Sequence, residues 1–256
     1  MIKLLNGETF RDDEILELMK DDDFYYGYLG KAALSSSSIK LLLDSPKKYK
    51  YVTEYGQKES SALSAGWLFH TAILEPEVFN SQIFVDVQSK NTKAYKLAKE
   101  QHDRVFTIKE KKDAERLADA FLRNEHALQL ITDCEFEVPA IGMVQGYPFR
   151  GKADVLGRGI VDLKTCSDIK GFKYQSYKYG YDVQVYLYCE LFNKPYEEFK
   201  FAAIDKGSLD IGIYDVSEEF YNSGKEKVTR ALETYQAFFI DGADLDSYCI
   251  KGTLWT

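Results

Sequence analysis

A β-hairpin is predicted for the stretch Gly151-Lys-Ala-Asp-Val-Leu-Gly-Arg-Gly-Ile-Val-Asp-Leu-Lys-Thr165. The prediction of the fold starts from this hairpin. If this hairpin turns symmetrically about Arg158, Asp154 pairs with Asp162. Paired residues project to the same face of a sheet, with Cβ atoms about 4.5–5.5 Å apart. Lys164 shares that face, because side chains along a strand alternate with period two. The sequence therefore predicts two carboxylates and an ammonium on one patch.

Two facing carboxylates repel each other unless a positive group lies between them, and a divalent cation is the usual solution. The alternative is a surface hairpin whose charged side chains form ordinary solvated pairs. Asp162 lies between the apolar residues Val161 and Leu163, in a strand with the composition of a central one. A buried carboxylate there is costly without a partner, which favours the cation site.

Outward from the hairpin, the chain predicts a mixed α/β fold. Helical patterns dominate up to about residue 130, where serines before apolar runs and prolines after them mark helix ends. Strand patterns follow at 134–144, 147–157 and 159–165, then a helix near 178–193, strands at 200–207 and 210–216, and a helix at 217–240. This order indicates one mixed central β-sheet flanked by helices. We expect residues 1–30 to form an acidic N-terminal arm and residues 31–256 a single domain, with helices in 31–130 and the sheet core in 131–256.

The composition excludes several classes of protein. Of the 256 residues, 45% are hydrophobic, which is enough for a real core and excludes a chain disordered throughout. No apolar run reaches the roughly 18 residues that cross a bilayer, and the N-terminus lacks the apolar run of a secretory signal. The four cysteines form no CxxC pair, which predicts neither a zinc site nor a disulfide framework. We therefore expect a soluble cytoplasmic protein without a membrane partner.

The charge is acidic overall but uneven along the chain. A net charge of −8 argues at first against a nucleic-acid partner, yet binding depends on local potential. Residues 1–30 carry three basic and eight acidic side chains, whereas residues 31–60 carry six and three. The acidity weakens a DNA-binding interpretation without removing it.

Several motifs, in a fixed order, resemble the PD-(D/E)xK nuclease superfamily, and within it the RecE-type phage exonucleases. Asp154 matches the first acid of that signature and Asp162-Leu163-Lys164 matches its D-x-K. The wider resemblance covers roughly residues 30 to 240. It is carried by Leu34-Ser35-x-Ser37-x-Ile39-Lys40 with Ser45-Pro46 and Tyr49, by Gly66-x-x-x-His70 with Leu74-Glu75-Pro76, by Gly151-Lys152-x-Asp154 and Val161–Thr165, and by Tyr181-Asp182-x-Gln184-x-x-x-Tyr188.

The resemblance implies a restriction-endonuclease-like core and a set of site residues. His70, Asp154, Asp162 and the backbone carbonyl of Leu163 would bind the metal, and Lys164 would orient or deprotonate the attacking water and stabilise charge on the phosphate. Gln184 and Tyr188 would lie beside the scissile phosphate, and Glu137 would be a further acid on the first strand. Two of these have ordinary alternatives: His70 as a packed core histidine, and Glu137 as part of a solvated strand face that it shares with Glu135.

A predicted DNA contact lies at the serine-rich helix start. Free backbone N–H groups and hydroxyls at Ser35 and Ser37 suit a phosphate, and Lys40, Lys47 and Lys48 would add salt-sensitive attraction. The alternative is an ordinary helix cap beside a solvated basic face.

The resemblance also implies an activity, a cofactor and partners. Oxygen-rich ligands favour Mg²⁺, with Mn²⁺ as a substitute, and the cysteine spacing predicts no iron–sulfur cluster. We expect a 5′→3′ exonuclease acting on double-stranded DNA ends, phage-encoded, working in the host cytoplasm with a single-strand annealing protein and assembling as a homo-oligomeric ring. The alternatives are a single-strand or structure-specific endonuclease on the same fold, and a catalytically inactive DNA-binding protein.

Overall fold

The computed structural model describes residues 1–57 and 60–252. Within them, the largest sheet has five strands: β5 (Glu135–Val144), β6 (Tyr147–Leu156), β7 (Ile160–Cys166), β8 (Phe199–Asp205) and β9 (Ile211–Asp215). They lie side by side in that order. Strands β7 and β8 run parallel and the other neighbours are antiparallel, so the sheet is mixed, as predicted.

Serine and proline set the helix ends in the N-terminal half. The side chain of Ser35 accepts the N–H of Ser38 and caps the third helix, and Ser45 caps the fourth, which begins at Pro46. The helices that precede the sheet are α1 (Asp12–Leu18), α2 (Leu29–Ala32), α3 (Ser36–Asp44), α4 (Pro46–Tyr55), α5 (Ser61–Leu74), α6 (Pro76–Ser81), α7 (Lys93–Gln101), α8 (Ile108–Arg123) and α9 (Glu125–Ile131). Two short pairs accompany them: β1 (Ile2–Lys3) with β2 (Thr9–Phe10), and β3 (Ile83–Val85) with β4 (Val105–Thr107).

The sheet separates two apolar layers, and strand β7 contributes to both. Ile160 packs in the layer formed with α3 and three later helices, whereas Val161 and Leu163 pack in the layer formed with α5 and α8. The later helices are α10 (Phe172–Lys178), α11 (Tyr181–Phe192) and α12 (Glu218–Tyr235). Because side chains alternate along a strand, Asp162 and Lys164 face the α11 side.

Helices α11 and α12 pack closely over this side of the sheet. A Cβ at Gly224 would lie 2.0 Å from the backbone oxygen of Asp182, so a larger residue at 224 would force the helices apart. The carboxylate of Asp182 is fully buried and is bound by Lys227 at 2.5 Å and by the hydroxyl of Ser223 at 2.7 Å. Helix α11 is therefore fixed in position by polar as well as apolar contacts.

The N-terminal segment packs against the first two strands of the sheet. Leu4, Ile15 and Tyr25 form an apolar cluster that reaches Ile141 of β5. The predicted boundary at residue 30 falls inside helix α2 (Leu29–Ala32). Across residues 1–57 and 60–252, no helix has the length and apolar character needed to span a membrane.

Candidate active site

The β6–β7 hairpin brings the two predicted acids to adjoining positions. Val155 pairs with Val161 and Leu156 with Ile160, and the same register places Asp154 opposite Asp162. The ladder stops at this point, where the Asp154 carboxylate accepts the backbone N–H of Leu163 at 2.8 Å. The Asp154 carboxylate thus accepts an N–H that a backbone carbonyl of β6 would accept in a continued ladder. This hydrogen bond fixes the carboxylate at the point where the two strands separate.

Three ligand groups from three elements meet beside this point. One ligand atom each of His70 on α5, Glu137 on β5 and Asp154 on β6 lies within 4.8 Å of the others. The imidazole Nε2 of His70 is 2.8 Å from the carbonyl oxygen of Leu163, and Nδ1 is 3.5 Å from an oxygen of Asp154. Because a carbonyl only accepts hydrogen bonds, a neutral His70 ring donates from Nε2 and keeps the Nδ1 lone pair for a ligand.

The backbone at Glu137 has an uncommon conformation. Its φ is +50°, in the left-handed region, and the register skips it between the pairs Phe136–Val155 and Val138–Ala153. Holding a non-glycine residue there costs on the order of 1 kcal/mol or more, and such strain concentrates at functional sites. Burial, together with the negative charges of Asp154 and Glu75, raises the pKa of Glu137 to about 8.

Asp162 lies deeper, outside the group formed by His70, Glu137 and Asp154. It is 1% exposed; one oxygen accepts a hydrogen bond from Gln184 and the other forms an ion pair with Lys164. The ammonium of Lys164 is therefore the donor to that second oxygen, Oδ2. Burial lowers the pKa of Lys164, but Asp162 and Asp154 raise it by more, so the net pKa is raised and the amine is protonated.

These residues fit a divalent metal ion. Carboxylate oxygens with one imidazole are a ligand set that suits Mg²⁺ or Mn²⁺. The buried Asp162 carboxylate, held by Gln184 and Lys164, adds negative charge beside this group. The chain thus provides His70, Glu137 and Asp154 as a group, with Asp162 adjoining it.

The ligand group opens into a cavity of about 460 Å³. Tyr188 lines it from α11, and burial raises the pKa of its hydroxyl well above the usual value, so this hydroxyl keeps its proton. Trp67 lines it from α5 and Tyr26 from the N-terminal segment. Gln184 is not among the lining residues, because its amide points at Asp162 beneath the cavity.

The predicted DNA contacts divide into two groups. Ser35 and Ser37 line the cavity at the start of α3. The amine of Lys40 lies 5.5 Å from the ring centroid of Tyr181, and burial together with the nearby Lys164 lowers the pKa of Lys40 to about 8. Lys47 and Lys48 do not line the cavity: Lys48 pairs with Asp44, and Lys47 contacts the backbone oxygen of Asp246 at 3.4 Å.

Several residues that line this cavity were not predicted as site residues. Glu75 adds a fourth acid near Glu137; it follows α5 five residues after His70, and the only sequence signal for it is the Leu74-Glu75-Pro76 motif. Tyr25 lies under the guanidinium of Arg150, with 4.5 Å between the guanidinium carbon and the ring centroid. No sequence signal joined the N-terminal segment to strand β6, because their contact is long-range.

The fold and this group of acids, lysine and histidine define a PD-(D/E)xK-type nuclease. Residues 35–247 match the family model described as a PDDEXK-like domain of unknown function (DUF3799). The chain therefore belongs to this family, and the predicted superfamily and restriction-endonuclease-like fold are confirmed.

The fold is similar to that of a solved structure. A candidate exonuclease from Eubacterium rectale superposes with a TM-score of 0.64 and 16% identity, covering 97% of each chain. A phage-related exonuclease from Haemophilus somnus is 15% identical with a TM-score of 0.37, covering 82% of this chain and 96% of its own. No curated protein sequence matches the chain significantly.

Proposed function

We propose that this nuclease is a Mg²⁺-dependent exonuclease that degrades double-stranded DNA from its ends, 5′→3′. The observation that carries the proposal is the meeting of His70, Glu137 and Asp154 within 4.8 Å, beside the buried Asp162–Lys164 pair. A bound divalent ion would activate a water molecule and neutralise phosphate charge. The end specificity and the polarity rest on the sequence resemblance to RecE-type enzymes.

The proposed site residues have different parts in this reaction. His70, Glu137 and Asp154 hold the metal, together with the Asp162 carboxylate. Lys164, protonated because its net pKa is raised, stabilises negative charge on the phosphate and does not act as the base. Gln184 acts through Asp162 by fixing its carboxylate, and is a positioning residue rather than a contact to the phosphate.

Tyr188 and the start of α3 orient the substrate. The protonated Tyr188 hydroxyl can donate to a phosphate oxygen in the cavity. Ser35 and Ser37 lie on the same cavity at a helix N-terminus, where backbone N–H groups favour an anion. Lys47 and Lys48, on the following helix, would serve only DNA that extends outside the cavity.

The biological setting is also proposed from the resemblance. The enzyme would be phage-encoded, act in the host cytoplasm, and supply single strands to an annealing protein during recombination. A homo-oligomeric ring with basic residues lining its channel would reconcile the acidic exterior with DNA binding. Analytical ultracentrifugation should then show a closed oligomer, and a monomer at all concentrations would contradict the ring.

Digestion of labelled DNA tests the proposed activity. Linear duplexes carrying a label at either the 5′ or the 3′ end are incubated with and without Mg²⁺, beside a covalently closed plasmid. We expect Mg²⁺-dependent early release of the 5′ label and an intact plasmid. A nicked plasmid would indicate the endonuclease, and binding without hydrolysis would indicate the inactive DNA-binding protein.

Matched variants link the activity to the site. Asp162→Asn should lower the digestion rate at least about 100-fold, because the metal loses a buried anionic ligand. Asp113→Asn, on the exposed face of α8, is the control and should digest DNA at the wild-type rate. Equal rates for the two variants would rule out the mechanism.

A further inference from the structure

A second groove, of about 500 Å³, lies beside Gly180 at the start of helix α11. Helices α3, α10 and α12 form its walls. Four cations and three tyrosines line it, and its described lining residues include no acid. We call it the basic groove; the lining residues that matter here are Lys40, Tyr177, Lys178, Tyr179, Lys227 and Arg230.

The basic groove concentrates positive charge on a chain whose net charge is negative. The net charge is −8, yet four positive side chains lie together here. Lys227 is neutralised by Asp182, but Lys178 and Arg230 have no ion-pair partner among the described residues, and both are exposed. A local excess of positive charge in a concave surface raises the concentration of anions there.

The basic groove adjoins the active site through an intermediate cavity. The cavity beside the proposed metal ligands shares Trp67 and His70 with a second cavity of about 500 Å³ that is lined by Lys164 and Lys206. That second cavity shares Tyr179 with the basic groove. The three cavities are therefore neighbours, in the order from the proposed metal ligands to the exposed lysine and arginine.

Tyr181 lies beside two of the lysines that line these cavities. The amine of Lys164 lies 5.0 Å and that of Lys40 5.5 Å from its ring centroid. Gly180 has a left-handed φ of +64°, and a Cβ there would lie 3.3 Å from the Lys40 side chain. The small residue leaves Lys40 room to pass over the start of α11, so positive charge continues from the catalytic lysine into the basic groove.

We propose that the basic groove holds the sugar–phosphate backbone of a single DNA strand that extends beyond the metal site. This inference rests on the proposed function and assigns a binding track to it. A positively charged groove combined with exposed aromatic rings is the arrangement that binds single strands without sequence preference. Tyr177 and Tyr179, which are 46% and 51% exposed, supply rings on which bases can stack.

Removal of two groove charges tests the proposal by binding rather than by catalysis. Lys178→Gln with Arg230→Gln is compared with Lys173→Gln plus Lys225→Gln, which lie on the same helices outside the groove and change the net charge equally. Binding of a fluorescent single-stranded 20-mer is measured in EDTA, so that no hydrolysis occurs, across a range of salt concentrations. Thermal melting checks that both double variants are folded.

We expect the affinity of the groove variant to be roughly 25-fold lower at 0.1 M salt, because two phosphate contacts disappear. For the same reason, the slope of log K against log salt should become shallower by about 1.4. The control should match the wild type. Equal losses in the two double variants would overturn the proposal. If the wild type binds through the groove but leaves DNA uncut in Mg²⁺, the proposed activity fails while the groove stands.

Discussion

The imidazole Nε2 of His70 donates to the backbone carbonyl of Leu163 across 2.8 Å, joining residues 93 positions apart in the chain. This contact fixes helix α5 to strand β7 beside Asp154. It also sets the tautomer of the histidine, so that Nδ1 faces Asp154. The geometry of the proposed metal site therefore depends on packing between the N-terminal helices and the sheet.

Metal binding should release a proton from Glu137. Its pKa of about 8 means that the side chain is largely protonated at pH 7, whereas a metal ligand must be ionised. Affinity should thus rise with pH up to about 8 and level off above it. Calorimetric titration of Mn²⁺ at pH 7, in two buffers of different ionisation enthalpy, should show release of about one proton.

Two variants of strand β5, one at the site and one as its control, test the role of Glu137 in this experiment. Glu137→Gln should bind Mn²⁺ more weakly and release no proton, while Glu135→Gln, exposed two residues earlier, should behave like the wild type. A wild-type protein that binds Mn²⁺ at pH 7 without proton release would contradict the role of Glu137.

Gln184→Leu should separate positioning from substrate contact. The change leaves a buried oxygen of Asp162 without its donor, which costs about 1–3 kcal/mol in the free energy of unfolding. Because the amide does not line the cavity, kcat should fall about 10- to 100-fold with little change in KM. Urea denaturation and steady-state kinetics measure the two effects, and a raised KM with unchanged kcat would mean direct contact with the substrate.

Gly151→Ala should displace the tyrosine of the cavity. A Cβ at this position would lie 2.9 Å from Cε1 of Tyr188 and 3.1 Å from Leu191, in a buried part of the sheet. Overpacking of this kind costs about 1–3 kcal/mol, and Tyr188 would have to move within the cavity. Gly142→Ala meets only the flexible end of Leu191, at 3.3 Å, and is the control. Equal melting temperatures for the two variants would show that Tyr188 has room to adjust.

Lys227→Met should be among the most destabilising single changes on the α11–α12 interface. It leaves the fully buried carboxylate of Asp182 without its cation, and breaking a buried pair in this way costs about 3–5 kcal/mol. Adding Asp182→Asn to that variant removes the unpaired charge and should recover part of the loss. The double-mutant cycle is measured by urea denaturation, and strictly additive effects would show that the two side chains are not coupled.

Much of the fold could be predicted because it depends on local pattern. The hairpin register followed from a short turn and period-two alternation, and the observed pairs Val155–Val161 and Leu156–Ile160 have that register. Ser35 and Pro46 marked helix boundaries through backbone hydrogen bonding that short sequence patterns reveal. The parallel pair β3–β4 was not foreseen, because three-residue strands far apart in sequence leave no such pattern.

The composition of the site was harder to predict. Glu137 was expected as a further acid, but its left-handed backbone and its place within the ligand group depend on strand packing. The contribution of Tyr26 to the cavity depends on how the N-terminal segment folds back. Lys47 and Lys48 were grouped with Lys40 by proximity in sequence, yet Ser45 starts a new helix that carries them away from the cavity.

Mn²⁺ binding is the direct test of whether His70, Glu137 and Asp154 form a metal site. Electron paramagnetic resonance titration of the wild type should show a bound ion, and the triple variant His70→Ala, Glu137→Gln and Asp154→Asn should lose far more than 10-fold in affinity. His126→Ala, on the exposed side of α9, should bind as the wild type does. A triple variant that binds Mn²⁺ with unchanged affinity would show that these three residues do not hold the metal.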